Sequence, residues 1–181
     1  DHRDLHSFPT RRSSDLGACL VSEPGFWAAP HLNGAIPDTG PWSRHRGAPG
    51  SVDSAWARLV ARAADLLRLA GPEGGQWLNR GALTLSPGEG IAWTEMARGL
   101  LIHWVKLDAT GQTVEACRVL APTEWNFHRR GVLAQALAGL SARPADERRL
   151  AAQRLAVAFD PCVAFSIVDS LDAAKEGPAD A

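Results

Sequence analysis

The clearest pattern of apolar and polar positions lies in residues 51–70. Apolar residues recur there every three or four positions, at Trp56, Leu59, Val60, Ala63, Leu67 and Ala70. This spacing places them on one face of a helix. Ser51 or Asp53 is suited to cap the start of that helix, and Gly71 and Pro72 are suited to end it. We therefore predict an amphipathic helix over residues 51–70.

Two apolar, β-branched stretches further along the chain indicate a hairpin. They cover residues 100–108 and 113–120, and a short loop that contains a glycine joins them. Residues 130–140 and 144–158 are rich in Ala, Leu and Arg, which favour helices, and the second segment has a proline near its start. The pattern predicts an α+β fold in which helices surround a small antiparallel hairpin.

The two ends of the chain differ from this central part. Residues 1–16, DHRDLHSFPTRRSSDL, have neither a helical nor a strand period, and they can be read codon for codon as a translated sequencing adapter. We expect them to be an artefact rather than native protein. We also expect residues 17–170 to be part of a larger domain that lacks its N-terminal portion. Residues 171–181 are small and charged, which is typical of a disordered tail.

Composition and charge narrow the functional classes. The chain has 181 residues, 45% of them hydrophobic, and a formal net charge of -1. Its basic residues are scattered, which disfavours nucleic acid as a partner. No apolar run approaches the roughly 18 residues that a membrane-spanning helix needs. We expect a cytoplasmic protein with neither a nucleic-acid nor a membrane partner.

The cysteines Cys19, Cys117 and Cys162 form no close pair, so neither a zinc knuckle nor a disulfide framework is indicated. Asp160 is suited to cap a helix that has Pro161 at its first position and Cys162 in its first turn. A helix dipole would favour the thiolate there. Taken alone, however, Cys162 is more simply a buried core thiol.

Two other potential ligands lie on the predicted strands. His103 stands between apolar neighbours, and Cys117 alternates with apolar residues. In both cases we expect packing in the core rather than metal binding.

Several strings occur in the order of one family. They are Glu95-Met96-Ala97-Arg98-Gly99, Pro122-Thr123-Glu124-Trp125-Asn126 and Phe159-Asp160-Pro161-Cys162, with a weaker echo in residues 38–44. From about residue 38 to residue 168, the chain resembles the C-terminal part of the nickel–iron hydrogenase large subunit. The resemblance implies the corresponding part of the large-subunit fold.

The departures from that family concern the metal centre. The family ends in Cys-x-x-Cys-x-x-His, whose first cysteine binds nickel and whose second bridges nickel and iron. The corresponding residues here are Cys162, Phe165 and Val168. The resemblance therefore implies that the nickel bridge is lost and that nickel binding is not expected.

The segments that hold the cyanide and carbon monoxide ligands of iron in the family are kept. They correspond here to Arg98, Pro122 and Thr123. A guanidinium and a hydroxyl can each donate a hydrogen bond to a cyanide nitrogen. Without the resemblance, Arg98 would be read as a surface or ion-paired arginine and Thr123 as a turn residue.

This combination resembles the hydrogenase expression/formation proteins of the HupK/HoxV type. It implies a non-catalytic scaffold that transiently holds an iron–cyanide–carbonyl unit, with Cys162 as the metal ligand. The implied partners are hydrogenase maturation proteins and the hydrogenase large-subunit precursor. Two alternatives stay open: a catalytic or degenerate nickel–iron hydrogenase large-subunit fragment, and a protein-binding paralogue without metal.

Overall fold

The computed structural model describes residues 19–20, 22–23, 25–32, 34–45, 54–72 and 74–168. The predicted artefact and the predicted tail lie outside these residues, and so do the two predicted helix caps Ser51 and Asp53.

A four-stranded antiparallel sheet forms the centre of the fold, with its strands in sequence order. The strands are β1 (Arg80–Ser86), β2 (Glu89–Met96), β3 (Gly99–Leu107) and β4 (Val114–Leu120). The predicted hairpin is the pair β3 and β4, and its antiparallel register is confirmed. The overall α+β class is confirmed as well.

The first two strands were not predicted. β1 lies at the edge of the sheet and contains no fully buried residue. In β2 only Ile91 is fully buried. Leu83 and Leu85 of β1 and Trp93 of β2 pack against the core but are only partly buried. The apolar alternation that marks a strand is therefore short in both sequences.

Six helices with described bounds accompany the sheet. They are α1 (Pro41–Arg44), α2 (Ala55–Leu69), α3 (Gly74–Trp77), α4 (Pro122–Asn126), α5 (Val132–Ala138) and α6 (Ala145–Phe159). Of these, α2, α5 and α6 confirm the three predicted helices. Ser54 caps α2, because its side chain accepts a hydrogen bond from the Ala57 backbone N–H at 3.1 Å.

The apolar face of α2 is turned to solvent rather than to the core. Trp56 is 74% exposed and Leu67 is 76% exposed. The buried residues of this helix are instead Arg58, Ala61 and Asp65. This reverses the usual orientation of an amphipathic helix, and the ion pairs described below are the physical reason.

Two apolar clusters form the core. The first joins the sheet to the segment before it and to α4, and includes Leu20, Phe26, Ile91, Ile102, Leu120 and Trp125. The second lies between α5 and α6 and includes Leu133, Leu140, Leu155 and Phe159. Trp125, on the helix that carries Pro122 and Thr123, belongs to the first cluster, and Phe159, next to Asp160, belongs to the second.

The predicted helix that begins at Asp160 is wrong. Asp160 ends α6 in the left-handed conformation, with φ 52°, and residues 160–168 are not helical. Asp tolerates this conformation better than most residues, and Pro161 disfavours a helical conformation at the residue before it. Cys162 therefore does not lie in the first turn of a helix, and it gains no dipole from one.

His103 and Cys117 are both exposed, so their predicted core packing is also wrong. On β3, Leu100, Ile102 and Trp104 are buried while His103 faces the opposite side of the sheet. An antiparallel sheet can leave one face in contact with water. The apolar neighbours of His103 in sequence therefore do not surround it in space.

Candidate functional site

Arg98 lies in the turn between β2 and β3 and reaches the end of α6. Its Nε donates a hydrogen bond to the backbone oxygen of Asp160 at 2.9 Å and lies 3.1 Å from Asp160 Oδ2. Its two terminal nitrogens make no hydrogen bond within the described part of the chain, and its side chain is 41% exposed. The guanidinium is thus held through one nitrogen, and its terminal N–H donors remain available to a further acceptor.

Asn126 anchors α4 to the same turn. Its Nδ2 donates to the backbone oxygens of Arg98 at 3.2 Å and Thr39 at 2.9 Å, and its Oδ1 accepts from the Thr39 N–H at 3.0 Å. Only 3% of Asn126 is exposed. Because Pro122 and Thr123 lie one helical turn earlier on α4, this anchoring places their helix beside Arg98. We call this meeting of segments the Arg98 junction.

Two glycines allow the backbones to approach closely at the Arg98 junction. Gly99 has φ +133°, and a Cβ there would lie 2.3 Å from Thr39 Oγ1. Gly40 has φ +129°, and a Cβ there would lie 3.2 Å from the Arg98 backbone oxygen. Both positions therefore require glycine. Residues 38–44, which resemble the family only weakly, thus contact the Arg98-Gly99 string, although the two segments are far apart in sequence.

Helix α2 adds two further arginines to the junction. The Arg58 guanidinium pairs with Asp38, with Nη2 2.6 Å from Oδ2, and lies 3.8 Å from the centre of the Phe159 ring. Arg62 donates to the Ala158 backbone oxygen at 3.2 Å. A small cavity at the junction is lined by Arg58, Arg62 and Arg98. The cavity has a volume of about 20 Å³, which is room for about one water molecule. Each of the three arginines also has a carboxylate nearby, Asp38 for Arg58 and Asp160 for Arg62 and Arg98.

A buried ion pair holds the strand that leads into the Arg98 turn. Arg44 Nη2 lies 2.5 Å from Asp65 Oδ2 and also donates to the Met96 backbone oxygen at 3.2 Å. Burial alone would raise the pKa of Asp65, but the hydrogen bonds from Arg44 and Trp77 and the charges of Arg44 and His45 outweigh it and lower that pKa. Asp65 therefore stays ionised and keeps β2 in place.

Cys162 is exposed, two residues after the Asp160 that Arg98 holds. The structure thus brings the segment of the predicted metal ligand next to the predicted cyanide donor. Within the described residues, no three or more His, Cys, Asp or Glu side chains are grouped to hold a metal ion. Phe165 is 43% exposed and Val168 is 78% exposed, and neither carries a donor atom.

Thr123 differs from what was expected of a cyanide donor. Its hydroxyl donates a hydrogen bond to Glu124 Oε2 at 3.0 Å. Pro122 is buried at the start of α4. Thr123 makes no hydrogen bond to Arg98 or Cys162 in the described part of the chain. The helix that carries Thr123 is therefore at the junction, while its hydroxyl is engaged elsewhere.

The sequence did not identify Asn126, Asp160 and Thr39 as the residues that assemble this site. Asn126 belongs to the string Pro122–Asn126, so the family resemblance contained its signal. Asp160 was predicted to begin a helix, whereas it ends α6 and accepts a hydrogen bond from Arg98. Thr39 was indicated only by its place in residues 38–44, which resemble the family weakly.

The family model of nickel-dependent hydrogenases matches residues 76–168, which is about half of the chain. The chain therefore belongs to the nickel-dependent hydrogenase family, as the resemblance predicted. Within the described residues, no helix is both long and apolar enough to cross a lipid bilayer.

Three curated proteins are similar over most of this chain. The hydrogenase expression/formation protein HoxV of Cupriavidus necator is 40% identical over 84% of the chain and 43% of its own length. HupK of Bradyrhizobium diazoefficiens is 40% identical over 84% of the chain and 44% of its own length. HupK of Rhizobium leguminosarum bv. viciae is 37% identical over 92% of the chain and 50% of its own length. The chain spans about half the length of these relatives.

Proposed function

We propose that the protein is a hydrogenase maturation scaffold that transiently holds an iron–cyanide–carbonyl unit for large-subunit active-site assembly. The names of its relatives support a role in hydrogenase formation. The unit is cargo in this proposal, since the protein receives it and passes it on. The partners are hydrogenase maturation proteins and the hydrogenase large-subunit precursor, in the cytoplasm. The scaffold itself performs no catalysis.

The proposal rests on the hydrogen bonding of the Arg98 guanidinium. Asp160 fixes its Nε, while its terminal nitrogens make no hydrogen bond within the described residues. A guanidinium oriented in this way can donate to a cyanide nitrogen without rearranging. Such a guanidinium would recognise a guest through the guest's outer ligand atoms rather than through the metal.

Cys162 supplies the contact to iron in this proposal. Its thiol is exposed and follows closely on the residue that Arg98 holds. One thiolate holds a metal less firmly than a chelating pair, and neither Phe165 nor Val168 can complete such a pair. A single attachment suits a unit that must later be released.

Infrared spectroscopy tests the proposal directly. The complete gene product, purified after co-expression with the hydrogenase maturation proteins, is expected to show stretching bands of bound cyanide and carbonyl. We expect Cys162→Ala to abolish these bands and Arg98→Ala to weaken them or shift a cyanide band. Matched controls are Cys117→Ala, an exposed cysteine on β4, and Arg80→Ala, an exposed arginine on β1. Absence of all bands from the wild-type protein would refute the proposal.

The same preparations separate the two alternatives. About one nickel per chain together with hydrogen uptake would indicate a catalytic subunit. Unchanged complementation of hydrogenase maturation by Cys162→Ala, without any infrared bands, would indicate a protein-binding paralogue.

A further inference from the structure

Helix α2 presents an apolar face to solvent along most of its length. Apart from Arg68, whose guanidinium lies 4.2 Å from the centre of the Trp77 ring, every exposed residue of α2 is apolar. These exposed apolar residues are Trp56, Leu59, Val60, Ala63, Leu66 and Leu67. They recur at intervals of three and four positions, so they form one stripe that extends over roughly three helical turns. We call this the apolar stripe of α2.

The apolar stripe borders a groove between α2 and α6. Trp56 and Leu59 line the groove from α2, and Leu150 and Val157 line it from α6. The groove has a volume of about 540 Å³, which is room for several side chains. Arg154 is among its polar lining residues. Apolar side chains at the centre of a patch, accompanied by polar ones, are typical of a surface that another protein segment covers.

The geometry of the stripe suits a second helix. Two helices pack along each other when side chains spaced three and four residues apart interdigitate, and the stripe has this spacing. Nothing in the described ranges covers it, since Trp56 remains 74% exposed and Leu67 remains 76% exposed. The buried face of α2 already holds the ion pairs of Arg58 and Asp65. A helix with one face buried in this way and an apolar outer face is typical of a protein interior.

The lengths of the relatives indicate where the second helix comes from. HoxV of Cupriavidus necator and HupK of Bradyrhizobium diazoefficiens match this chain over 43% and 44% of their own lengths. More than half of each relative therefore lies outside the matched part. In a complete gene product of similar length, a portion of that size is tethered to α2. Tethering gives it a high effective concentration at the stripe, which a second copy or a separate partner lacks.

We propose that an amphipathic helix from the part of the complete gene product outside this chain docks along the apolar stripe of α2 and into the groove. Its apolar residues cover Trp56, Leu59 and Leu67. The docked helix completes the hydrophobic core on the side of α2 that the described residues leave open. The inference goes beyond the proposed function and is independent of it, because it uses neither Arg98 nor Cys162.

Photo-crosslinking in the complete gene product identifies the occupant of the stripe. The photoreactive residue p-benzoylphenylalanine is incorporated at Trp56 in one variant and at Leu67 in another. After irradiation and mapping by mass spectrometry, we expect cross-links within a single molecule to a peptide from outside this chain. The matched control has the same photoreactive residue at Val114, which is 57% exposed on β4. That position lies outside the stripe and should not cross-link to the same peptide.

Hydroxyl-radical footprinting tests the same contact without any substitution. In the unsubstituted complete gene product, we expect Trp56 and Leu67 to be oxidised several times more slowly than Val114, after correction for the intrinsic reactivity of each residue type. The reason is that the docked helix excludes water from the stripe but leaves Val114 hydrated.

The outcomes also separate the possible occupants. Cross-links from positions 56 and 67 to a second copy, recognised by the mass of a dimer, would overturn the proposal, and so would cross-links to a different protein. Equal corrected oxidation of Trp56, Leu67 and Val114 would overturn it as well, whether or not a cross-link forms. Absence of cyanide and carbonyl bands would refute the scaffold function and leave this inference standing.

Discussion

At the scale of single residues, Asp65 is a buried carboxylate that needs its partners to stay ionised. It is 2% exposed and is paired with Arg44, whose side chain is 5% exposed. Asp65→Asn would leave Arg44 buried opposite a neutral group, and breaking a buried pair in this way costs about 3 kcal/mol. We expect that loss in the free energy of unfolding, measured by urea denaturation.

The matched control for this substitution is the exposed pair of Lys106 and Glu115, whose side chains are 45% and 53% exposed. Glu115→Gln should change the free energy of unfolding by less than about 0.5 kcal/mol. Equal effects of the two substitutions would contradict the special status of Asp65.

The lowered pKa of Asp65 also predicts how stability depends on pH. In the unfolded chain an aspartate titrates near pH 4, at about 3.9. Because the folded-state pKa lies below that value, the stabilisation is fully present above it and is lost as the pH falls through the folded-state pKa. Unfolding curves between pH 2 and pH 6 should show wild type and Asp65→Asn converging towards the acid end. A constant difference in stability across this range would disprove the assignment.

The residues of the Arg98 junction show what sequence reasoning can identify. Arg98, Thr123 and Cys162 came from strings that match a family, and their segments do lie together. Their contacts could not be derived, because Asn126 and Asp160 act through hydrogen bonds between segments that are distant in sequence. The bond from Thr123 to Glu124 involves adjacent residues, yet it depends on rotamers that the sequence does not fix.

At the scale of secondary-structure elements, the cap of α2 gives a local prediction. Ser54 accepts from the Ala57 N–H, one of the orphan donors at the helix start. Ser54→Ala should lower the free energy of unfolding by about 1 kcal/mol, whereas Ser54→Asp should keep most of it. Thermal or urea unfolding measures both effects. Ser141→Ala, at an exposed position after α5, should have no measurable effect; a loss equal to that of Ser54→Ala would contradict the capping role.

The elements that sequence periodicity predicted are those with strong local signals. Helix α2 and the β3–β4 hairpin have regular apolar spacing, and both were found. The end of α6 was misjudged because Asp160 is equally suited to begin a helix and to adopt the left-handed conformation that ends one. The hydrogen bond that Arg98 Nε donates to the Asp160 backbone oxygen favours the left-handed conformation. That bond joins residues distant in sequence, so the sequence alone does not reveal it.

At the scale of the whole molecule, charge and apolar surface are arranged in an unusual way around α2. Its inward face carries Arg58 and Asp65, which pair with Asp38 and Arg44 from the preceding segment. Its apolar residues face outward, opposite the buried ion pairs. The buried charges thus determine the orientation of the helix, since turning it would leave them unpaired in the interior.

The outward face of α2 continues onto α6 as an open apolar groove. Trp56 and Leu59 from α2 line it together with Leu150 and Val157 from α6, and all four side chains are at least 40% exposed. Contiguous apolar surface of this kind is uncommon on soluble monomers. We therefore expect the isolated chain to bind a hydrophobic dye such as anilinonaphthalene sulfonate in its folded state.

Polar substitutions in this groove test that expectation. Leu59→Ser combined with Val157→Ser should reduce dye fluorescence severalfold. It should lower the free energy of unfolding by no more than about 3 kcal/mol, because Leu59 is 40% exposed and Val157 is 50% exposed in the folded protein. Val119→Ser, on the exposed face of β4, is the matched control and should leave the fluorescence unchanged, since that valine lies outside the groove. Dye binding that survives the double substitution would show that the groove is not the surface responsible. The free energy of unfolding of Asp65→Asn tests independently whether the buried charges of α2 hold this helix in the described orientation.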